Sequence, residues 1–200
     1  AFDASTRFLV SGAEDGTAIL WDLVPRLSVR SNLRTDQHHP ISAAAISQDG
    51  SWLAVGGDDG SVILWSLKTR GLEGTPIRLQ DHNSRITALV FDGAGSHLAA
   101  VDVQGMGVQW ELEQEKSISS SWSPISYKFP MTVKAVSPAG SWLVTTTRDG
   151  HLALVPTFGQ DLSVDSTALL DHESDILSVV FSPDGSQLLA RSVNRTMIWD

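Results

Sequence analysis

Two hundred residues with 42% apolar and 18% charged side chains supply enough apolar material for a folded core, which excludes a disordered chain. No apolar run approaches the roughly 18 residues that cross a bilayer, and residues 1–25 lack a basic start followed by an apolar core and a cleavage site. Cysteine is absent, which removes disulfides and thiolate metal sites, and 14 basic against 23 acidic residues give −9, which disfavours a nucleic-acid backbone as partner.

In chain order the apolar stretches are short and separated by turn residues. RFLVSG (7–12) precedes AEDGTAILWD (13–22), and ISAAAIS (41–47) precedes the turn QDGSWL and then GDDGSVILWS (57–66). The more polar TPIRLQ (75–80) leads to the turn GAGSHL and to VQGMGVQWE (103–111). After the polar EQEKSISSSWSP (113–124) come SPISYKF (123–129), the turn PAGSWL and RDGHLALVP (148–156). STALL (166–170), ILSVVFS (176–182), the turn PDGSQL and VNRTMIWD (193–200) complete the series. Such runs, joined by Asp-Gly or Ala-Gly that supply positive φ, predict antiparallel strands in hairpins and leave no room for helices. The polar stretches predict outer edge strands.

Two rulers measure the same repeat. Trp21, Trp65, Trp110, Val155 and Trp199 occupy equivalent places at intervals of 44, 45, 45 and 44 residues, and Gly50, Gly95, Gly140 and Gly185 recur every 45. A four-strand unit of this period with a Trp-Asp signature resembles the WD-repeat β-propeller family, and the resemblance spans the whole chain. The phrase SQDGSWLAVGGDDGSVILW (47–65) resembles bacterial-type WD-repeat arrays. The expected fold is therefore all-β: about five blades, three complete and two partial, of four-stranded antiparallel sheet. Residues 1–200 form one propeller segment with units at approximately 1–22 (partial), 23–66, 67–111, 112–156 and 157–200. With no inner strand in 1–6 and three strands in each terminal unit, the count is eighteen strands, and the segment is expected to belong to a larger ring of a longer chain.

In this family a His before the inner strand, a Ser or Thr in the second strand, a turn Asp and the Trp form a hydrogen-bonded lock. By resemblance, the blade-structural residues are Trp21, Trp65, Trp110 and Trp199, Asp15, Asp59 and Asp149, and His82 and His172. The set is broken in every unit: Ser11 and Thr145 keep the hydroxyl, Val55, Ala100 and Leu189 replace it, and Gln104 and Val193 replace the turn acid. Stability is then expected to rest on apolar packing between blades.

No catalytic, cofactor or metal site is expected. Glu14-Asp15-Gly16 and Asp58-Asp59-Gly60 lack the spacing of a calcium loop and read as hairpin turns. His38 and His39, near Asp36, point to opposite sides of an extended segment and read as a displaced lock histidine rather than a metal site. Asp81-His82 and Asp171-His172 sit at the repeat's own histidine place, which reads as scaffold rather than a catalytic dyad. GxSxG, P-loop and HExxH signatures are absent. Trp52 and Trp142 share a place two residues after the turn glycine, and Trp122 alone is off the ruler: a rim contact or packing beneath its loop.

The resemblance implies one broad face for partners. Counting ten and eight residues before each turn glycine gives Pro40 and Ser42, Arg85 and Thr87, Pro130 and Thr132, Asp175 and Leu177; the place before the turn acid gives Glu14, Asp58, Val103, Arg148 and Ser192. The mixture predicts a polar contact of modest affinity or a multivalent one, in a cytoplasmic, non-catalytic scaffold that binds a protein partner or a neighbouring domain of its own chain, and neither nucleic acid nor membrane. The alternatives are a sensor or autoregulatory propeller in a multidomain signalling ATPase, kinase or protease, and an enzyme with a site in the central channel.

Overall fold

In a computed structural model of the chain, the residues described are 1, 7–23, 30–33, 39–67, 76–112, 118–119, 125–126, 132–146, 150–158, 167–168 and 176–200. Among them there is no helix, and none long and apolar enough to cross a membrane. Nineteen strands form five antiparallel sheets. The first contains β1 (Phe8–Gly12), β2 (Ala18–Asp22) and β3 (Arg30–Leu33). The second contains β4 (Ile41–Ile46), β5 (Trp52–Gly57), β6 (Val62–Ser66) and β7 (Ile77–Leu79). The third runs from β8 (Ile86–Phe91) through β9 (His97–Asp102) to β10 (Met106–Leu112), whose far edge pairs with both β11 (Ile118–Ser119) and β12 (Ile125–Ser126). The fourth contains β13 (Thr132–Val136), β14 (Trp142–Thr146), β15 (Leu152–Pro156) and β16 (Thr167–Ala168), and the fifth β17 (Ile176–Phe181), β18 (Leu188–Ser192) and β19 (Thr196–Trp199). The nineteenth strand arises because the third sheet's outer edge is split in two. Residues 2–6 lie outside the described set, while Ala1 exchanges both backbone hydrogen bonds with Val10 on the inner side of β1.

The sheets stack side by side. Inner strand β4 lies against β8, β8 against β13 and β13 against β17, while β1 lies against β4. Alternation makes each sheet apolar on both faces, so every interval between sheets becomes a core. Val10 and Leu20 of the first sheet meet Leu53, Ile63 and Trp65 of the second. Trp52, Leu64 and Leu79 meet Leu98, Val108 and Trp110 of the third, Val90 and Val101 meet Leu143 and Val155 of the fourth, and Val144 and Leu152 meet Leu188 and Trp199 of the fifth. Burying each such side chain contributes roughly 1.5–3 kcal/mol. On the fifth sheet's other face Val180 and Ile198 are exposed, although Val90, at the place of Val180 one ruler length twice over, is buried. Inner strands and lower turns frame a central cavity of about 490 Å³, lined by Ala44, Leu89, Phe91, Val136 and Pro138 with Gln48, Asp92 and Ser137 as polar groups.

The ruler glycines Gly50, Gly95, Gly140 and Gly185 all take positive φ and form one rim, here the lower; Gly16, Gly60, Gly105 and Gly150 do the same on the opposite, upper rim. Side-chain oxygens close the lower turns. In the fifth sheet Asp184 Oδ1 accepts from the Ser182 hydroxyl at 2.6 Å and from the Ser186 amide at 3.1 Å, and these bonds hold its carboxyl down at about 2 against an ordinary 3.8. A depressed carboxyl stabilises the fold above its unfolded pKa, and that contribution disappears as pH falls through the folded value. The melting temperature is therefore expected to fall between about pH 4 and pH 2, and Asp184→Asn to flatten that slope in thermal melts across the same range.

Candidate functional site

The upper rim is assembled from both rulers. In the second sheet the Asp58 amide donates to the Pro40 carbonyl at 3.0 Å, and in the third the Val103 amide donates to the Arg85 carbonyl at 2.9 Å. Between the sheets Arg85 Nε lies 3.2 Å from Asp58 Oδ1, with side-chain exposures of 59% and 38%. Pro40, Asp58, Arg85 and Val103 thus form one continuous strip. Behind it Asp59 accepts from the Ser61 amide and hydroxyl and lies 3.5 Å from Arg78 of β7. Burial works to raise its carboxyl, but the Ser61 bonds and the nearby His39 and Arg78 hold it below the ordinary value.

Other expected contact residues have work within their own sheets. Ser42 and Thr87 are the extra residues of β-bulges at the start of β4 and β8, and their hydroxyls donate to Gly56 O at 3.3 Å and Val101 O at 3.1 Å. Leu177 is the corresponding bulge residue of β17 and stands exposed, whereas in β13 the irregularity falls at Lys134, leaving Thr132 in regular pairing and exposed. Glu14 is exposed on the first turn. Ser192 requires a correction. It is buried and its hydroxyl bonds Arg195 across a turn one residue shorter than the others, so Val193 takes the exposed place. The same shortening sets Ala190, not Leu189, opposite Met197, two residues before Trp199, where the lock hydroxyl would lie. Pro130, Arg148, Asp175, Asp149, His172, Trp122, Asp36 and His38 lie outside the described residues.

The lock survives in parts. Trp21 Nε1 donates to Ser11 Oγ at 3.0 Å in the first sheet. Asp15 is bonded to Thr17, hydroxyl first and then amide, which lowers its carboxyl pKa. Trp65, Trp110 and Trp199 all pack between sheets. In the fourth sheet the buried Thr145 hydroxyl donates to Ala153 O at 3.5 Å.

The third sheet rebuilds the lock from different residues. Gln104, at the turn-acid place, is exposed; the acid is Asp102, the last residue of β9. Its Oδ2 meets His82 Nδ1 at 3.2 Å and the Ser84 hydroxyl at 2.8 Å, and its Oδ1 accepts the amides of Gln104 and Met106, both at 2.9 Å. The His82 and Asp102 side chains are only 0% and 2% exposed. Trp110 Nε1, facing Ala100 where a hydroxyl would serve, donates instead to Asp81 Oδ2 at 2.9 Å, and its ring meets the His82 ring edge-on at 6.3 Å. Asp81 and His82 therefore serve different partners, and His82 Nε2 is buried without a hydrogen-bond partner among the described residues.

The described residues contain no group of three or more His, Cys, Asp or Glu placed to hold a metal ion. In the cavity Asp92 accepts from Ser96 and His97 of its own turn, and the Ser137 oxygen accepts the Trp142 amide at 3.0 Å. Both ring contacts of His97, to Ser96 at 3.0 Å and to Asp92 at 2.9 Å, use Nδ1, so the three do not form a relay from hydroxyl through ring to acid.

Sheets stacked in sequence, inner strand beside inner strand around a central cavity, define the blades of a β-propeller. Residues 1–22, 30–66 and 164–200 match the family model described as WD domain, G-beta repeat. The solved beta-propeller domain of Cps50 (Swd1) from Myceliophteria thermophila superposes with a TM-score of 0.68, covering 98% of this chain and 61% of that one at 20% identity, a likeness of fold. A 66 kDa stress protein of Physarum polycephalum is 24% identical over 204 residues, spanning all of this chain and 31% of its own length. The chain thus carries matches to the WD repeat within a propeller fold, and WD-repeat propellers are generally non-catalytic and commonly serve as protein-interaction scaffolds. The rebuilt third blade and the fourth, which has Val155 at the place of the signature Trp, fall within the stretch 67–163, which the family model does not match.

Proposed function

We propose that this chain is a non-catalytic, cytoplasmic scaffold whose upper rim binds a partner protein or a neighbouring domain, and that the apolar face bearing Val180 and Ile198 takes a further blade. The observation that carries the reading is the strip from Pro40 to Val103, half-buried at Pro40 and exposed at Asp58, Arg85 and Val103, yet fixed by main-chain bonds and an interblade ion pair. Such a surface orders little on binding, so more of its contact energy appears as affinity. The engagement of Asp92, His97 and Ser137 within their own turns supports the non-catalytic part. A photocrosslinking amino acid placed at Gln104 on the upper rim, in the protein as expressed in its own cells, is expected to give a discrete partner adduct, and the same group at Ser186 on the lower rim none. Adducts from Ser186 alone, or from neither position, would overturn the reading.

A further inference from the structure

The third blade concentrates the rim's specific chemistry. Among the described contact positions of the first three blades, Glu14, Pro40, Ser42, Asp58, Arg85, Thr87 and Val103, Arg85 is the one cation. Its main chain is clamped twice: its carbonyl accepts the Val103 amide at 2.9 Å, and the preceding Ser84 and His82 are tied to buried Asp102. The neighbouring blade closes on the same loop, since a Cβ on Gly60 would lie 2.6 Å from His82 O. Asp58 touches the Nε edge of the guanidinium, orienting a side chain that remains 59% exposed. Beside it, on the turn that Asp102 holds by two amides, stand Val103 and Met106, apolar side chains of residues 47% and 42% exposed.

We propose that Arg85, Val103 and Met106 anchor an extended segment of a partner protein that carries a single acidic side chain next to an apolar one. This rests on the reading of the upper rim as the partner face. A pre-oriented guanidinium is suited to a carboxylate, to which it offers planar, charge-assisted hydrogen bonds, and exposed apolar groups alongside provide the desolvated contact that makes such an anchor count. The chain's net charge of −9 sets the rest of the preference, because its field repels an acidic run and leaves a lone carboxylate in a neutral, apolar context as the favoured form. The strip continues past Arg85 in both directions, to Asp58 and to Val103, which suits a segment passing across rather than a chain terminus ending there.

Fluorescein-labelled decapeptides with amidated C-termini and a central Leu-Glu-Leu in a Gly-Ser context, titrated against the chain by fluorescence anisotropy, test this. The Glu peptide is expected to bind at least tenfold more tightly than its Gln and Lys counterparts. Arg85→Gln is expected to lose that tenfold preference, Val103→Ser to weaken all three peptides alike, and Arg78→Gln to change nothing. Equal binding of the Glu and Gln peptides, tighter binding of Lys, or binding only by a peptide whose sole carboxylate is its C-terminus overturns the proposal. The peptide series on the unaltered chain decides the matter even if a variant melts early. A Gln104 crosslink that persists in Arg85→Gln while the peptides fail to discriminate would sink this inference and leave the partner face standing.

Discussion

Asp102→Ala is expected to destabilise the chain by about 3–5 kcal/mol, the cost of removing one member of a buried, hydrogen-bonded polar cluster. Four donors lose their acceptor together: His82 Nδ1, the Ser84 hydroxyl and the amides of Gln104 and Met106. Water cannot readily replace the carboxylate where His82 and Asp102 are almost wholly enclosed. For a domain of this size such a loss lowers the melting temperature by roughly 10 °C, readable in a thermal melt. Gln104→Ala, at the place where the repeat pattern puts the acid, is expected to change stability by no more than about 0.5 kcal/mol, because that side chain is exposed. A larger effect at 104 than at 102 would mean that the lock follows the repeat pattern after all.

Gly140→Ala is expected to cost more than about 3 kcal/mol, since it combines two of the mechanisms behind large single-residue effects. Its φ is +71°, which an L-residue adopts only with strain. The new Cβ would also fall inside contact distance of the Phe91 carbonyl, backbone of the neighbouring blade, so the two sheets would have to separate. Gly150→Ala isolates the first contribution. Its φ is +84° but no atom of the described residues lies within 4 Å of the added carbon, and the expected cost is about 1–2 kcal/mol. Urea titrations of the two variants should therefore differ by a midpoint shift well outside error. Similar losses at both sites would show that interblade contact at Gly140 contributes little.

The strands, their hairpins and the blade stacking were legible because they depend on local signals. Turn glycines at fixed intervals and short alternating runs such as HLALVP (151–156) survive even in the blade where the signature Trp has become Val155. The third blade's lock was not legible from spacing, because Asp102 stands two residues before the expected acid and reaches His82 only through the pairing of β8 with β9. Its trace in the sequence is an acid closing the otherwise apolar strand HLAAVD, with His82 and Ser84 two apart in the loop before β8. The misplacement of Ser192 had a signal too: Gly185 to Trp199 is 14 residues where the three preceding intervals are 15, the missing residue having left the turn. Of the contact residues, the ruler placed Pro40, Asp58, Arg85 and Val103 on one strip, but it could not show that the Ser42 and Thr87 hydroxyls turn back onto their own sheets to close bulges. That depends on where a bulge falls, a property of strand register.

The central claim is that the upper rim of the third blade is a rigid, prebuilt surface, held from beneath by Asp102. Residue-resolved amide hydrogen exchange on the chain tests it most directly, through the amides of Val103, Gln104 and Met106, which the structure bonds to the Arg85 carbonyl and to the Asp102 carboxylate. These three turn amides are expected to exchange as slowly as those of the core strand β9, and in Asp102→Ala to become fast while β9 stays protected. Exchange at unprotected rates in the unaltered chain would contradict the claim and leave the rim without the fixed geometry on which its binding role depends.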